Sequence, residues 1–398
     1  MKLKLSKLKS NWPIVSIKQI SRKVTDGEHV TPERTDSGIL LLSARNVLNG
    51  QLDLSVVDYI PDSEYQRIIK RCHPEEGDIL ISCSGTIGRV CVVPENQKFT
   101  LVRSVALVKL DRSKVSSDFI AYLLQSDLLQ NQMKRALNLS AQPNLFLNAI
   151  NKLKLPLPEQ HQQHQIARIL KVWDDAIATT EELITVKHQL KRGLEQKLLN
   201  SRGIIRNDWS FLKAKDVFTS VSERNFPDAE LLAVTQKSGV VPRDDLEGRV
   251  MMPEGDTSNY KLVKQGDFVI SLRSFQGGIE YSDFTGLVSP AYTVLRATIP
   301  IVKSFYRYYF KSYEFIQYLA IAVVGIRDGK QVSYSSFSTL ETPVPPLEEQ
   351  SKIAEILDCS SDEIECLEQY LSKLKQQKSG LMQKLLTGEW PVKVKEVA

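Results

Sequence analysis

The chain has 398 residues, 42% hydrophobic and 25% charged, a composition that excludes disorder, collagen and a disulfide-rich scaffold and gives length for two to three domains. Its five cysteines (Cys72, Cys83, Cys91, Cys359, Cys366) form no C-x-x-C pair, which argues against a zinc site and fits a reducing cytoplasm. A net charge of +5, positive over residues 1–152 and negative over 340–398, makes no strong basic field, so any nucleic-acid binding must use local patches.

From the N-terminus, MKLKLSKLKS lacks the continuous apolar core of a signal peptide, and no apolar run is long enough to span a bilayer. Polar segments then lead to Gly77-Asp-Ile-Leu80, read as a turn starting a strand. Ile79–Ser82, Arg89–Val93 and Val102–Leu110 have strand patterns, and Phe119–Arg135 has an amphipathic helical one. The loop Ser84-Gly-Thr-Ile-Gly-Arg89 lacks the spacing and the Lys-Ser/Thr of a phosphate-binding loop. After Pro156-Leu-Pro158 comes a long proline-free stretch, which predicts a long helix. His161 and His164, three apart at its start, have no third ligand in the sequence pattern and read as a solvated turn. The series then recurs: Gly266-Asp-Phe-Val269, strands at Phe268–Leu272 and Tyr292–Leu295, a helical stretch from Phe305 to Ala322, Pro343-Val-Pro345 and a second long helix.

The recurrence has one register. Residues 156–199 and 343–386 align without a gap at an offset of 187, with 18 identities in 44 positions, from the Pro-x-Pro pairs to Gln196-Lys-Leu-Leu199 and Gln383-Lys-Leu-Leu386. Spacings of four and three run through Ile166, Leu170, Trp173, Ile177, Thr180, Ile184, Lys187, Lys191, Leu194 and Leu198. They run equally through Ile353, Leu357, Ser360, Ile364, Leu367, Leu371, Leu374, Lys378, Leu381 and Leu385, the seam of a coiled coil with polar interruptions. The expected organisation is a first globule (1–155), a helical region (156–202), a second globule (203–342), a second helical region (343–390) and a tail (391–398). The fold class is α+β: two similar α+β globules held apart by two long antiparallel coiled-coil helices, with an internal pseudo-two-fold repeat.

Two globules that each precede a helix of the form P-x-P...Q..IA.IL...D.I...K.GL.QKLL resemble, over essentially the whole chain, the specificity subunits of type I restriction-modification systems. The resemblance implies a non-catalytic subunit. Its globules would be target recognition domains, each reading one half of a bipartite target in double-stranded DNA, and its helices would set the spacer. Two modification (methyltransferase) subunits would bring S-adenosylmethionine for adenine methylation, and restriction (translocase and nuclease) subunits would bring ATP and Mg. This chain would bind no cofactor and no metal, in keeping with the absence from it of adenine-methylation, F-x-G-x-G and Walker motifs. The alternatives are a coiled-coil structural adaptor with no DNA role, and the specificity subunit of a fused cutting and methylating enzyme.

Base readout needs side chains with paired donors and acceptors on loops whose backbone approaches DNA closely. In the first globule Arg45, Asn46, Ser84, Gly85, Thr86, Arg89, Arg103, Gln142 and Asn144 qualify, and in the second Arg273, Ser274, Gln276, Gly277, Arg327, Lys330 and Gln331. For subunit contact the candidates are helix positions that recur in both copies and flank the seam: Gln163, Gln196, Lys197, Gln350, Gln383 and Lys384.

Overall fold

A computed structural model describes residues 11–137, 143–200, 208–236, 238–246, 257–323 and 332–392. The chain folds as two compact units, residues 1–180 with 370–398 and residues 181–369. Each unit contains one globule and one half of each long helix.

Both long helices have the bounds that the repeat requires. The central helix is Gln160–Leu199 and the C-terminal helix Leu347–Leu386, 40 residues each, so both ends keep the offset of 187. At 1.5 Å per residue each is roughly 60 Å long. All twenty predicted seam positions are buried or half-buried.

In the first unit the core is mainly aliphatic. Strands Ser21–Asp26, Val105–Leu110, Ile79–Ser82 and Val90–Val92 form an antiparallel sheet in that spatial order. A second sheet joins Asp58–Ile60, Ile39–Leu42 and Phe99–Leu101, the last pair parallel. Two helices, Ser117–Gln125 and Asp127–Ala136, cover the first sheet, and their apolar faces share one core with Ile166 and Leu170 of the central helix and Leu385 and Leu386 of the C-terminal helix. The start of one long helix and the end of the other thus meet on the same globule, which makes the pair antiparallel here.

The second unit repeats the frame. Strands Phe218–Val221, Thr293–Ala297, Phe268–Ile270 and Glu280–Tyr281 take the same order in an antiparallel sheet. The filling differs, being rings: Phe218 meets Phe268 (centroids 5.6 Å apart) and Tyr306 (5.2 Å) edge-on, with Phe305, Phe310, Phe315 and Phe337 around them. Leu199, Ile353 and Leu357 close this core, again the end of one long helix beside the start of the other. The peripheral strands depart from the first unit, with a hairpin of Leu232–Thr235 and Gly239–Pro242 and a pair Lys261–Val263 and Gly286–Val288.

Each helical stretch expected before Pro-x-Pro is two helices rather than one. The first breaks at Ser126, whose extended backbone (φ −69°, ψ 153°) ends one helix and caps the next while its hydroxyl bonds the Leu123 carbonyl. The second divides into Lys303–Tyr309 and Tyr313–Val323, and there the Ser312 hydroxyl bonds the Tyr309 carbonyl at 2.8 Å. Serine competes for local backbone groups and so favours such boundaries, which an apolar period does not reveal.

Candidate nucleic-acid interface

The Gly-Asp pairs are turns, and they show how the strand that leads into each candidate loop is anchored. Gly77 and Gly266 have φ of +77° and +90°, which a side chain would oppose. The buried Asp78 carboxylate accepts from Glu75 N–H (2.9 Å) and from Lys109 Nζ (2.7 Å). At equivalent positions Asp267 accepts from Lys264 N–H (2.9 Å) and from two nitrogens of Arg296 (2.9 and 2.7 Å). These carboxylates lock a turn to the neighbouring strand.

At the far end of the same strand a buried serine organises the loop that follows. The Ser82 hydroxyl accepts from Arg89 N–H (2.9 Å), fixing the ends of the loop 84–89. The equivalent Ser271 hydroxyl accepts from Arg273 N–H (3.2 Å). In the first unit three segments converge here: Cys83 N–H donates to the Ser104 carbonyl (2.8 Å), Leu145 N–H to the Cys83 carbonyl (2.9 Å), and Ser84 forms a β-bridge with Asn144. They border a cleft of about 310 Å³ lined by Arg103, Asn144, Phe146, Asn148, Asp26 and Cys83.

Charge separates the candidates. Arg22, Arg34, Arg45, Arg67 and Arg71 all make ion pairs, Arg45 with Asp58 at 3.1 Å. Arg89, Arg103 and Arg273 have no carboxylate within ion-pair distance among the described residues, and Arg103 and Arg273 are exposed. Guanidinium groups left free beside a cleft or loop can serve phosphate or base edges. Gly85 is open, since a Cβ there would meet nothing within 4 Å. Ser84, Thr86, Asn144 and Gln276 are half-buried or exposed around these loops.

Other candidates are withdrawn. Asn46 is 2% exposed, and its amide accepts from Ser43 N–H and donates to the Asp53 and Val56 carbonyls, leaving nothing to reach a base. Ser274 is buried and its hydroxyl accepts from Ser271 N–H at 2.8 Å. Gly277 is closed in by the Gln236 side chain, so its lack of a Cβ serves internal packing. Gln142, Arg327, Lys330 and Gln331 lie outside the described residues. Sequence reasoning missed Phe146, which is 52% exposed, and Asn148, because their meeting with Arg103 depends on strand pairing distant in sequence.

Of the proposed subunit contacts, Gln163 and Gln350 are corrected: they are 1% and 0% exposed and are joints between helix and globule. Ser116 N–H donates to Gln163 Oε1 (2.9 Å) and Gln163 Nε2 to the Pro158 carbonyl (2.9 Å). Val302 N–H donates to Gln350 Oε1 (2.8 Å) and Gln350 Nε2 to the Pro345 carbonyl (2.8 Å). Their recurrence reflects a repeated internal bond. Gln196, Lys197 and Gln383 are exposed, and Lys384 is half-buried with its ammonium 4.1 Å from the Trp390 ring centre. Gln383 borders a groove of about 580 Å³ in the first unit and Gln196 one of about 840 Å³ in the second. Leu183, Val186 and Leu190 form an exposed apolar stripe off the seam, which its weaker period concealed.

Residues 10–188 and 206–376 match the model of the type I restriction modification DNA specificity domain, once for each repeat. The chain belongs to the type I restriction-modification specificity subunits. It is similar along 98% of its length, at 24% identity, to the putative type I restriction enzyme MjaX specificity subunit of Methanocaldococcus jannaschii, covering 96% of that protein. To the MjaVIII specificity subunit of the same organism it is 26% identical over 87% of its length, covering 88% of that relative. The solved S subunit of the type I restriction-modification system of M. genitalium shares the fold, with a TM-score of 0.58, 17% identity and 99% coverage of both chains. Specificity subunits are in general non-catalytic. Among the described residues this specificity subunit has no helix long and apolar enough to cross a membrane and no cluster of three metal-ligating side chains.

Proposed function

We propose that this chain gives a type I restriction-modification complex its DNA specificity, each globule reading one half of a bipartite target. The observation that carries the proposal is the duplication of one frame, with the same sheet order and the same helix bounds at an offset of 187 residues. Unequal loops on equal frames suit two different half-sites. Arg89, Arg103, Asn144 and Thr86 read the first half and Arg273 and Gln276 the second, with Ser84 and Gly85 letting the backbone approach.

The antiparallel helix pair sets the spacer. The exposed stripe through Leu183, Val186 and Leu190, together with Gln196, Lys197, Gln383 and Lys384 beside the two grooves, receives two modification subunits. A single kind of partner bound twice suits the positions that recur, Gln196 with Lys197 and Gln383 with Lys384, whereas Leu183, Val186 and Leu190 have Tyr370, Lys373 and Gln377 as their repeat equivalents and so distinguish the two contacts. S-adenosylmethionine, ATP and Mg belong to the modification and restriction subunits, and the complex works on double-stranded DNA in a prokaryotic cytoplasm.

The test is to express the chain with its modification subunit in a methylation-free host and map methyladenine by single-molecule sequencing. Two short defined sequences flanking a fixed run of unspecified bases, absent when this chain is deleted, are expected. A complex that forms but leaves DNA unmethylated, or methylates a continuous site, would overturn the reading.

A further inference from the structure

Two lysines interrupt the apolar seam at the same place in each repeat, Lys191 and Lys378. Both side chains are largely withdrawn from solvent, at 23% and 15% exposure, so they belong to the seam and not to a solvated face. In the first unit the Lys378 ammonium lies 5.5 Å from the Tyr122 ring centre and pairs with Asp174. The Tyr122 hydroxyl donates to the other Asp174 oxygen at 2.6 Å. In the second unit Lys191 lies 5.5 Å from the Tyr308 ring centre. The Tyr308 hydroxyl donates to Asp358 at 2.7 Å and lies 2.9 Å from the hydroxyl of Ser361, the repeat equivalent of Asp174.

These contacts complement the glutamine joints. Gln163 and Gln350 tie the start of each long helix to the globule that precedes it. Lys378 ties the far part of the C-terminal helix to the first globule, and Lys191 ties the far part of the central helix to the second. A leucine seam tolerates sliding by a heptad, because leucine then replaces leucine. A lysine does not: a one-heptad slip carries its ammonium about 10 Å along the axis, away from its ring and, for Lys378, from Asp174, while Lys191 keeps only Glu195 of its own helix. A polar group at one seam position is a known means of fixing register in coiled coils.

We propose that Lys191 and Lys378 are positioning residues that set the register of the helix pair and thereby, given the function proposed above, the spacer length that the complex accepts. Cross-linking tests the register without DNA. In the full chain with Cys359→Ser and Cys366→Ser, the pair His188→Cys with Glu368→Cys reports the native register, since these side chains approach to 3.6 Å. His188→Cys with Lys375→Cys, or with Ser361→Cys, reports a slip of one heptad either way. The 188–368 disulfide should dominate when both lysines are present and when both are arginine. In Lys191→Leu with Lys378→Leu, compared in a common Lys187→Leu background because Lys187 is a further seam lysine paired with Glu363 at 2.6 Å, it should become the minor product and a slipped pair should appear, with no fall in the melting midpoint.

An unchanged cross-link pattern in the folded leucine variant would overturn the proposal, as would loss of the 188–368 product through unfolding that arginine fails to rescue. With the modification subunit, the leucine variant should also methylate targets whose spacer differs from the native one. If the wild-type complex methylates no bipartite site while the cross-links behave as expected, the functional reading fails and the register assignment stands.

Discussion

The two globules share a skeleton and differ in what fills it. Four strands stand in the same order, a buried aspartate locks the same turn, and a buried serine ends the same strand. Yet the first core is mainly Ile, Leu and Val, and the second is built on rings. The turn aspartate is held by one lysine nitrogen in the first and by a two-pronged arginine in the second. Among the described residues, the second alone pairs a buried glutamate, Glu280, with a half-buried lysine, Lys311, beside the loop that follows Ser271. Hydrogen-bonded corners are therefore the invariant of the frame, because each satisfies backbone groups that burial would otherwise orphan, whereas packing volume can be met by many combinations of side chains.

The largest expected contrast is in the cores. Phe218→Ala removes the hub of the ring cluster and should cost the second unit about 4 kcal/mol, while Leu107→Ala should cost the first about 3 kcal/mol. Denaturant unfolding followed by hydrogen exchange should show each loss confined to its own unit, and equal loss in both units would break the comparison.

Next in size is Lys311→Met, with no counterpart among the described residues of the first globule. It strands the buried Glu280 carboxylate at a cost of about 3 kcal/mol. Burial already holds Glu280 above its ordinary value of 4.5, with Lys311 opposing that rise, so the variant's carboxyl should sit higher still. A raised acid favours the protonated folded form, so stability is retained at low pH and lost as pH rises through the folded value. Urea midpoints should thus place the variant nearer wild type at pH 5 than at pH 8, and a pH-independent gap would count against the buried pair.

The smallest effect costs no stability and separates globule from helix. Burial pushes the Cys72, Cys83 and Cys91 thiols up to about 12, whereas Cys359 and Cys366 are exposed on the C-terminal helix. A thiol reagent at pH 8 should label two groups in the native chain and all five after unfolding. Rapid labelling of a third would place local opening in the first globule.

The long helices, their common bounds and the seam were legible because they rest on local periodicity and a repeat in one register. The strand pairs were legible only beside the Gly-Asp turns. Strands such as Ser21–Asp26 and Asp58–Ile60, polar or half-exposed, give no period that distinguishes them from loops. The site was harder. Arg45 and Arg103 look alike in sequence, and what separates them is Asp58, brought to one and not to the other by tertiary pairing. Asn46, Ser274, Gln163 and Gln350 carry the donors and acceptors expected of contact residues, but spend them on backbone groups that only the fold brings near.

The glutamine joints have a consequence for how such a molecule evolves. What Gln163 and Gln350 require of the globule is an amide hydrogen, on Ser116 in one case and Val302 in the other, and no particular side chain. A globule exchanged for another could therefore keep this joint with any side chain at that corner, provided it also offers an apolar face to Ile166 and Leu170 or to Ile353 and Leu357. At the joint itself the side chain is free to vary, as the serine at one corner and the valine at the other already show.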